Sequence, residues 1–409
     1  MPRLRILHVL SLNVVGGVER LFDAWLAHPA AAALEQHVLS LRRDAHPRFV
    51  PTLRAHAASV SFANHWRGVR LPRRPAFLRA RHIARALDAV RPDAVLLWNA
   101  LGDAELLAAL RRAGAAVGFY EHGAALMRAA DDPEAAGLAR MDAILCGCRA
   151  SQRVMELRFG ARADGIRVIT NPVIGAAAGA PAELLPPRPG RPLRLGFAGR
   201  ITPLKGLPLA LHAARHVLEA GTDCELRIAG DGADLPPMQR LAERLRLTGK
   251  ALFLGVVRDM PAFYREIDIL LAPSLRETMP LVCMEAAWAG RPAIAPAING
   301  VPEIVLDGRT GFVIPPTLPL AAYAEFGGTS LDGVAEEYYD PISDAMKPAG
   351  LVRPEEIAER ALRLAKDPEE YLRLARAASA RAREEFTMDR YVEGMAKALK
   401  DLAGGTPAG

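Results

Sequence analysis

The sequence predicts an α/β protein of two Rossmann-like domains, each a doubly wound parallel sheet, facing one another across a cleft. Three observations lead there. The chain has 409 residues, too long for one comfortable core and suited to two domains of roughly 200 residues each. Short apolar runs alternate with stretches of helical periodicity, the pattern of βα units feeding a parallel sheet. That alternation runs twice, on either side of one proline-rich stretch.

In the first series, buried strands are read at Ile6–Leu10, His37–Leu41, Ala94–Trp98, Ala116–Tyr120, Ala143–Cys146 and Arg167–Ile169. Met1–Val15 carries an early arginine and an apolar run but lacks a cleavage-site pattern, so it reads as the first strand rather than a secretion signal. Val18, Leu21, Phe22, Trp25 and Leu26 follow at helical i, i+3, i+4, i+7, i+8 spacing, which makes Asn13–Gly17 a strand-to-helix loop. From 171 to 192 six prolines and a Gly/Ala stretch remove all periodicity, and the linker is placed at 176–192, after a first domain of 1–175. The second domain is placed at 193–384, with strands at Leu193–Ala198, Leu226–Ala229, Ala251–Leu254, Ile269–Ala272, Ala293–Ala295 and Phe312–Ile314. Residues 317–352 break the rhythm and read as an insertion, with a lid as one role for so long a connection. Helical patterning resumes at Pro354 and runs to about Leu402.

A net charge of +6 permits an anionic partner such as a sugar nucleotide or an anionic membrane surface. Only six of the basic residues are lysines, and no aromatic-interleaved basic stripe appears, so a nucleic-acid partner is not expected. Arg67, Arg70, Arg73, Arg74, Arg79, Arg81 and Arg85 form one basic stretch that suits peripheral membrane contact, or equally a solvated helix. No run approaches the roughly 20 apolar residues of a membrane span, and a cytoplasmic protein, peripheral at most, is expected. Cys146, Cys148, Cys224 and Cys283 are scattered, lack zinc-site spacing and read as reduced structural thiols.

In an open parallel sheet the ligand site lies at the carboxyl ends of the strands, so the loops after each strand carry the chemistry. Gly16-Gly17 opens a helix and would let backbone N–H groups approach an anion, although a tight turn explains it as well. Glu121-His122-Gly123 follows a buried run, where a polar triplet is either a site or a solvated loop. Gly199-Arg200 through Lys205-Gly206 brings two cations to a helix N-terminus; it reads as a phosphate site, but not a P-loop, because the Gly-Lys order is reversed. Glu277 and Glu285 flank the start of another helix, with Pro280 suited to its first position and Gly290 to its stop. Two carboxylates so spaced grip different hydroxyls of one extended ligand rather than form an acid/base pair. N–H groups at Leu281 and Val282 would face an anion.

These motifs together resemble the retaining glycosyltransferase family numbered four, of GT-B architecture. The resembling residues are Gly16-Gly17-Val-Glu19-Arg20, Glu121-His122-Gly123, Ala198-Gly199-Arg200 through Lys205-Gly206, Ala229-Gly230-Asp231-Gly232, Glu277 with Glu285, Gly300-Val-Pro-Glu303 and Gly308-Arg-Thr-Gly311-Phe. The resemblance implies a nucleotide-diphosphate-sugar donor and a glycan, lipid-linked or other hydroxyl acceptor, with cell-envelope glycan assembly the usual setting. It implies that Arg200 and Lys205 hold the donor diphosphate, Glu285 the ribose and Glu277 the transferred sugar. Backbone around Met279, Pro280 and Leu281 would meet sugar and phosphate, and His122 would approach the sugar from the other domain. The last helix, in 385–409, would cross back to the first domain. No metal and no cofactor is expected, in keeping with the absence of an Asp-x-Asp after a strand. The insertion at 317–352 departs from the family pattern.

The resemblance implies front-face substitution, with the two cations meeting charge on the leaving diphosphate; double displacement would need a carboxylate, for which Glu121 is the candidate. A GT-B epimerase or phosphorylase, or a non-catalytic sugar-nucleotide binder, would share much of the pattern. A nicotinamide dehydrogenase would not, because neither glycine cluster completes G-x-G-x-x-G.

Overall fold

Both halves of the chain fold as doubly wound parallel sheets. The computed structural model describes residues 3–42, 44–66, 69–70, 76–99, 104–128, 137–138, 141–175, 184–188 and 190–405. Most of the stretch read as the linker, 176–183 and 189, lies outside these, as do Arg67, Arg73 and Arg74 of the basic stretch. The chain divides into two compact units, one of Met1–Ile174 with Met388–Gly409, the other of Gly175–Thr387.

In the first unit the elements run β1 (Arg5–Leu10), α1 (Gly17–Ala27), β2 (Glu35–Ser40), α2 (Val50–His56), β3 (Ser59–Phe62), the small antiparallel pair β4 (His65–Trp66) and β5 (Val69–Arg70), and α3 (Ala76–Val90). They continue as β6 (Ala94–Trp98), α4 (Ala104–Arg112), β7 (Ala116–Glu121), β8 (Ala143–Cys146), α5 (Arg149–Phe159) and β9 (Ile166–Val168). The sheet order is β3-β2-β1-β6-β7-β8-β9 with every pairing parallel. Strand order reverses between β1 and β6, and a crevice opens at such a point at the carboxyl ends of the strands. β3 escapes the sequence pattern because Ser59, Val60, Ser61 and Phe62 make an edge strand with no fully buried residue.

The second unit repeats the design with β10 (Leu193–Ala198), α6 (Leu207–Glu219), β11 (Cys224–Ala229), α7 (Leu235–Arg244), β12 (Ala251–Gly255), α8 (Met260–Glu266), β13 (Ile269–Leu271), α9 (Leu281–Trp288), β14 (Ala293–Pro296), α10 (Val301–Ile304) and β15 (Gly311–Ile314). Its order, β12-β11-β10-β13-β14-β15, again all parallel, places the reversal between β10 and β13. The loops after those two strands carry Arg200 with Lys205, and Glu277, which is why residues 72 positions apart can meet.

The inserted segment is ordered. β16 (Leu318–Pro319) pairs with β19 (Gly350–Leu351), and between them β17 (Glu337–Asp340) and β18 (Ala345–Pro348) make an antiparallel hairpin. Tyr323, Tyr338 and Tyr339 are buried, and Tyr323 joins the second unit's core. The helical run that follows is three helices, α11 (Pro354–Lys366), α12 (Pro368–Glu385) and α13 (Met388–Ala403), because Pro368 starts a new helix capped by Asp367 and a break falls at 386–387. In α13 the buried stripe of Tyr391, Val392, Met395, Ala398, Leu399 and Leu402 has helical spacing. It packs into the first unit's core with Ile6, Leu96, Trp98 and Tyr120. Gly118 on β7 makes room for it: a Cβ there would lie 2.9 Å from Leu402 Cδ2.

All four cysteines are buried and free of disulfides. Among the described residues no helix is long and apolar enough to cross a membrane.

Candidate functional site

Gly199 leaves β10 at φ +146, and the loop that follows turns back through Gly206 at φ +65, a left-handed conformation that favours glycine. A Cβ on Gly206 would stand 2.0 Å from the carbonyl oxygen of Pro273, so only glycine lets this loop lie against the one after β13. The Leu275 N–H then donates to Leu204 O at 2.9 Å, stitching the two loops together. A Cβ on Gly230 would lie 1.8 Å from Gly199 O, which closes the loop after β11 against the same structure.

This packing sets Lys205 Nζ 2.5 Å from Glu277 Oε2, with side chains 26% and 16% exposed. Arg200 is exposed on the same loop as Lys205. Arg276, which the sequence reading passed over, is a third cation: burial lowers its pKa, Glu277 raises it and Arg200 lowers it again, so both charges act on its guanidinium. Its Nη1 donates to Gly333 O of the inserted segment at 2.8 Å. Met279 and Pro280 are buried and lead into α9, which starts at Leu281. Pro280 is therefore the residue before the helix rather than its first; its carbonyl accepts from the Cys283 and Met284 N–H groups. Among the described hydrogen bonds none uses the N–H of Leu281 or Val282, as expected of the first turn of a helix.

Glu285 lies one turn inside α9 and accepts from Tyr264 Oη at 2.8 Å. Tyr264 is itself held by Arg291, whose guanidinium donates to Tyr264 O at 3.0 Å and Arg265 O at 2.9 Å. Burial pushes the Cys283 thiol up, helped by Glu277 and Glu285 and opposed by Lys205. All three charges act on that one side chain of α9, and Lys205, Glu277 and Glu285 are taken as one group, with Arg200 and Arg276 beside it.

The first unit carries a separate group. At the end of β7 the Glu121 carboxylate is buried; it accepts from the Gly123 N–H and, at 3.2 Å, from the Ala125 N–H. Burial nevertheless pushes its pKa up to about 7. Its oxygens are thus committed to shaping this turn, which weighs against the nucleophile that double displacement requires. The His122 ring stacks on Trp98 at 6.1 Å and lies 4.0 Å from Tyr120, and burial lowers its pKa to about 3. His122 is therefore neutral near pH 7, with a buried Nε2 that has no partner among the described residues. The sequence reading missed Asn99, at φ +52 beside the reversal point, whose Oδ1 accepts from the His122 and Ala124 N–H groups. It also missed His8, buried beneath: Trp98 Nε1–H donates to His8 Nδ1 at 3.0 Å, and His8 Nε2 meets Gln36 Oε1 at 2.6 Å.

Gly16 and Gly17 open α1 as expected, but neither has positive φ. The space a Gly16 Cβ would fill lies 2.5 Å from the Glu19 carboxylate, so this helix start is already faced by an anion. Of the described arginines in the basic stretch, Arg70, Arg81 and Arg85 are exposed, whereas Arg79 is half-buried with its Nε out of water.

Comparison with known proteins reaches both units of the chain. Residues 15–174 match the model described as Glycosyltransferase Family 4, and residues 192–326 the model described as Glycosyl transferases group 1. Curated relatives include an alpha-D-kanosaminyltransferase of Streptomyces kanamyceticus, 32% identical over 31% of this chain, and a D-inositol 3-phosphate glycosyltransferase of Streptomyces bingchenggensis, 36% identical over 35% of this chain. Each match spans about a third of the relative's length (33% in both cases). Among solved structures, a glycosyltransferase from Rickettsia africae aligns over 98% of this chain and 99% of its own, with a TM-score of 0.74 at 15% identity. Anabaena HepE in complex with UDP-glucose aligns over 97% and 100%, with a TM-score of 0.69 at 18% identity. The fold of the chain is GT-B.

Proposed function

The chain belongs to the glycosyltransferases of family 4 and group 1, and from that premise we propose that it transfers a sugar from a nucleoside-diphosphate sugar to a hydroxyl acceptor with retention of anomeric configuration. The observation that carries this reading is the meeting of Lys205 and Glu277 at the strand-order reversal of the second unit, with Arg200 and Arg276 alongside and Glu285 held in the next helix. Cations suit a diphosphate; carboxylates beside them suit hydroxyls of the attached sugar and ribose.

The reaction is front-face substitution. The bond between the anomeric carbon and the diphosphate oxygen breaks while the acceptor oxygen bonds to the same face of that carbon. The acceptor's proton passes to the departing phosphate oxygen, so no enzyme nucleophile is needed. Arg200, Lys205 and the first turn of α9 stabilise charge that grows on the leaving group. Glu277 orients the sugar and Glu285 the ribose. No metal is required, because the cations present meet the diphosphate charge. The acceptor is a glycan or lipid-linked hydroxyl, as in cell-envelope assembly; Val14 and Val15, exposed just before Gly16, suit an apolar portion of it.

The test is a thermal-shift screen against UDP-glucose, GDP-mannose and ADP-glucose, since a ligand that binds only the native state raises its melting temperature. Incubation with the responding donor alone and then with acceptor glycans follows. A sugar isomerised or phosphorolysed without acceptor would replace the transferase reading with an epimerase or phosphorylase. No response to any donor would remove it.

A further inference from the structure

We propose that Asn299 is a positioning residue for the donor carboxylate, and that the inserted hairpin β17–β18 acts through it as a fixed brace of the donor site. The inference rests on the role given above to Glu277.

Asn299 follows β14 at φ +46, an unusual conformation for a side-chain-bearing residue that asparagine tolerates better than most. It is 2% exposed. Its Nδ2 donates to the backbone oxygen of Glu277 at 2.9 Å, while its Oδ1 accepts from the Tyr339 N–H at 2.8 Å. Its own N–H donates to Tyr339 O at 2.8 Å, and the next residue, Gly300, donates from N–H to Thr278 O at 3.1 Å. One short stretch therefore ties residues 277–278 to β17. A buried carboxamide at a left-handed position, with both polar ends committed to different segments, fixes their spacing rather than merely filling space.

Two further bonds join the inserted segment to the same loops. Tyr323 Oη donates to Pro203 O at 3.0 Å, beside Lys205, and Arg276 Nη1 donates to Gly333 O. The insert is thus bonded to the loop of each member of the Lys205–Glu277 pair. The hairpin lies outside residues 192–326, where the group 1 model matches, whereas Asn299 and Tyr323 lie within them. A carboxylate that selects a sugar hydroxyl must be held to within a fraction of an ångström, and the loop bearing Glu277 has no strand or helix of its own to hold it.

The test compares the wild-type chain with Asn299→Gly, which keeps the left-handed backbone accessible and removes only the carboxamide. Binding of UDP and UDP-glucose is measured by calorimetry, with GDP and GDP-mannose and ADP and ADP-glucose as parallel pairs, alongside hydrogen exchange of the whole chain. Asn299→Gly should bind the free nucleotide within about threefold of wild type. It should lose about tenfold of the added affinity that the sugar confers, in line with two lost hydrogen bonds and a displaced orienting group. Exchange should rise together at 276–280 and at 337–348. Equal weakening toward nucleotide and nucleotide sugar, or an unchanged sugar increment, would overturn the proposal, as would a rise confined to the hairpin. If the wild-type chain binds none of the six ligands, the functional reading fails. The exchange measurement still decides whether Asn299 couples the two segments.

Discussion

Glu277 stands among cations, and its removal should therefore harm the fold more than removal of its partner Lys205. Glu277→Gln leaves Lys205 without its carboxylate and Arg276 with only the repulsion of Arg200, whereas Lys205→Ala leaves Glu277 with Arg276 still in reach. Hydrogen bonds to charged groups are worth about 1.5–3 kcal/mol, and partial exposure of this pair argues for the middle of that range, about 2 kcal/mol. The second unit spans Gly175–Thr387, a size at which about 1 kcal/mol shifts Tm by about 2–4 °C. Glu277→Gln should then lower the melting temperature by about 4–8 °C and Lys205→Ala by about half as much. In the Glu277→Gln background, Lys205→Ala should cost nothing or be stabilising, because it removes a half-buried cation already deprived of its carboxylate. Scanning calorimetry of the four chains at low ionic strength measures this cycle, and pyrophosphate should raise the melting temperature of Glu277→Gln more than that of wild type. Additive losses, or a larger loss for Lys205→Ala than for Glu277→Gln, would refute the charge arrangement.

Arg200→Ala should lower kcat by roughly 10²- to 10³-fold with little change in donor affinity, because it meets charge only as the bond breaks; steady-state donor titration reads this. Glu285→Gln should mainly raise donor KM, and Tyr264→Phe should do so by a smaller factor, about fivefold for one hydrogen bond, in the same titration. Turnover should survive excess EDTA; loss restored only by Mg²⁺ or Mn²⁺ would contradict leaving-group stabilisation by Arg200 and Lys205. Burial holds His8 at about 4 and His122 at about 3, below the ordinary 6.5, so their contribution to stability is present above pH 6.5 and lost as pH falls through those values. Glu121, raised from 4.5 to about 7, contributes stability below pH 4.5 that is lost as pH rises through 7. The two histidines outweigh it on the acid side, giving a net loss of about 1–2 kcal/mol from pH 6.5 to 5 that urea titrations should show and that Glu121→Gln should steepen.

The core strands were legible because a strand buried on both faces must be apolar along its length. Leu193–Ala198 and Ala94–Trp98 announce themselves, while the edge strand Ser59–Phe62 does not. Lys205 and Glu277 were legible for a related reason: charged residues directly after such strands lie at the carboxyl edge of the sheet. Glycine spacing around Lys205 was legible as a tight turn, but its purpose, the 2.0 Å clearance to Pro273, belongs to a loop about 70 residues away. Arg276 was overlooked because an arginine in an arginine-rich chain carries little signal alone; only its closeness to Glu277 and Arg200 gives it meaning.

The least legible part was what holds the site in shape. Tyr264 reaches Glu285 from 21 positions away, and Asn299 reaches Tyr339 from 40. Such bonds leave no periodicity, because each uses one side chain at one end and a partner fixed only by the tertiary fold at the other. The insertion shows the consequence most clearly. Its prolines, glycines and tyrosines suggest a loop when read in order, and a loop of that length suggests a lid. In the folded chain those tyrosines are buried and the segment is bonded at Pro203, Arg276 and Asn299, around the residues that would hold the donor. Sequence order hides this because β17 is 60 residues beyond Glu277, with α9, β14, α10, β15 and β16 between them. Since the bracing bonds run largely through backbone groups at Glu277, Pro203 and Gly333, substitutions at those contact points preserve the bonds unless they alter the backbone. The shape of the donor loop is therefore most vulnerable at Asn299, whose side chain carries two of these bonds where Tyr323 and Arg276 each carry one.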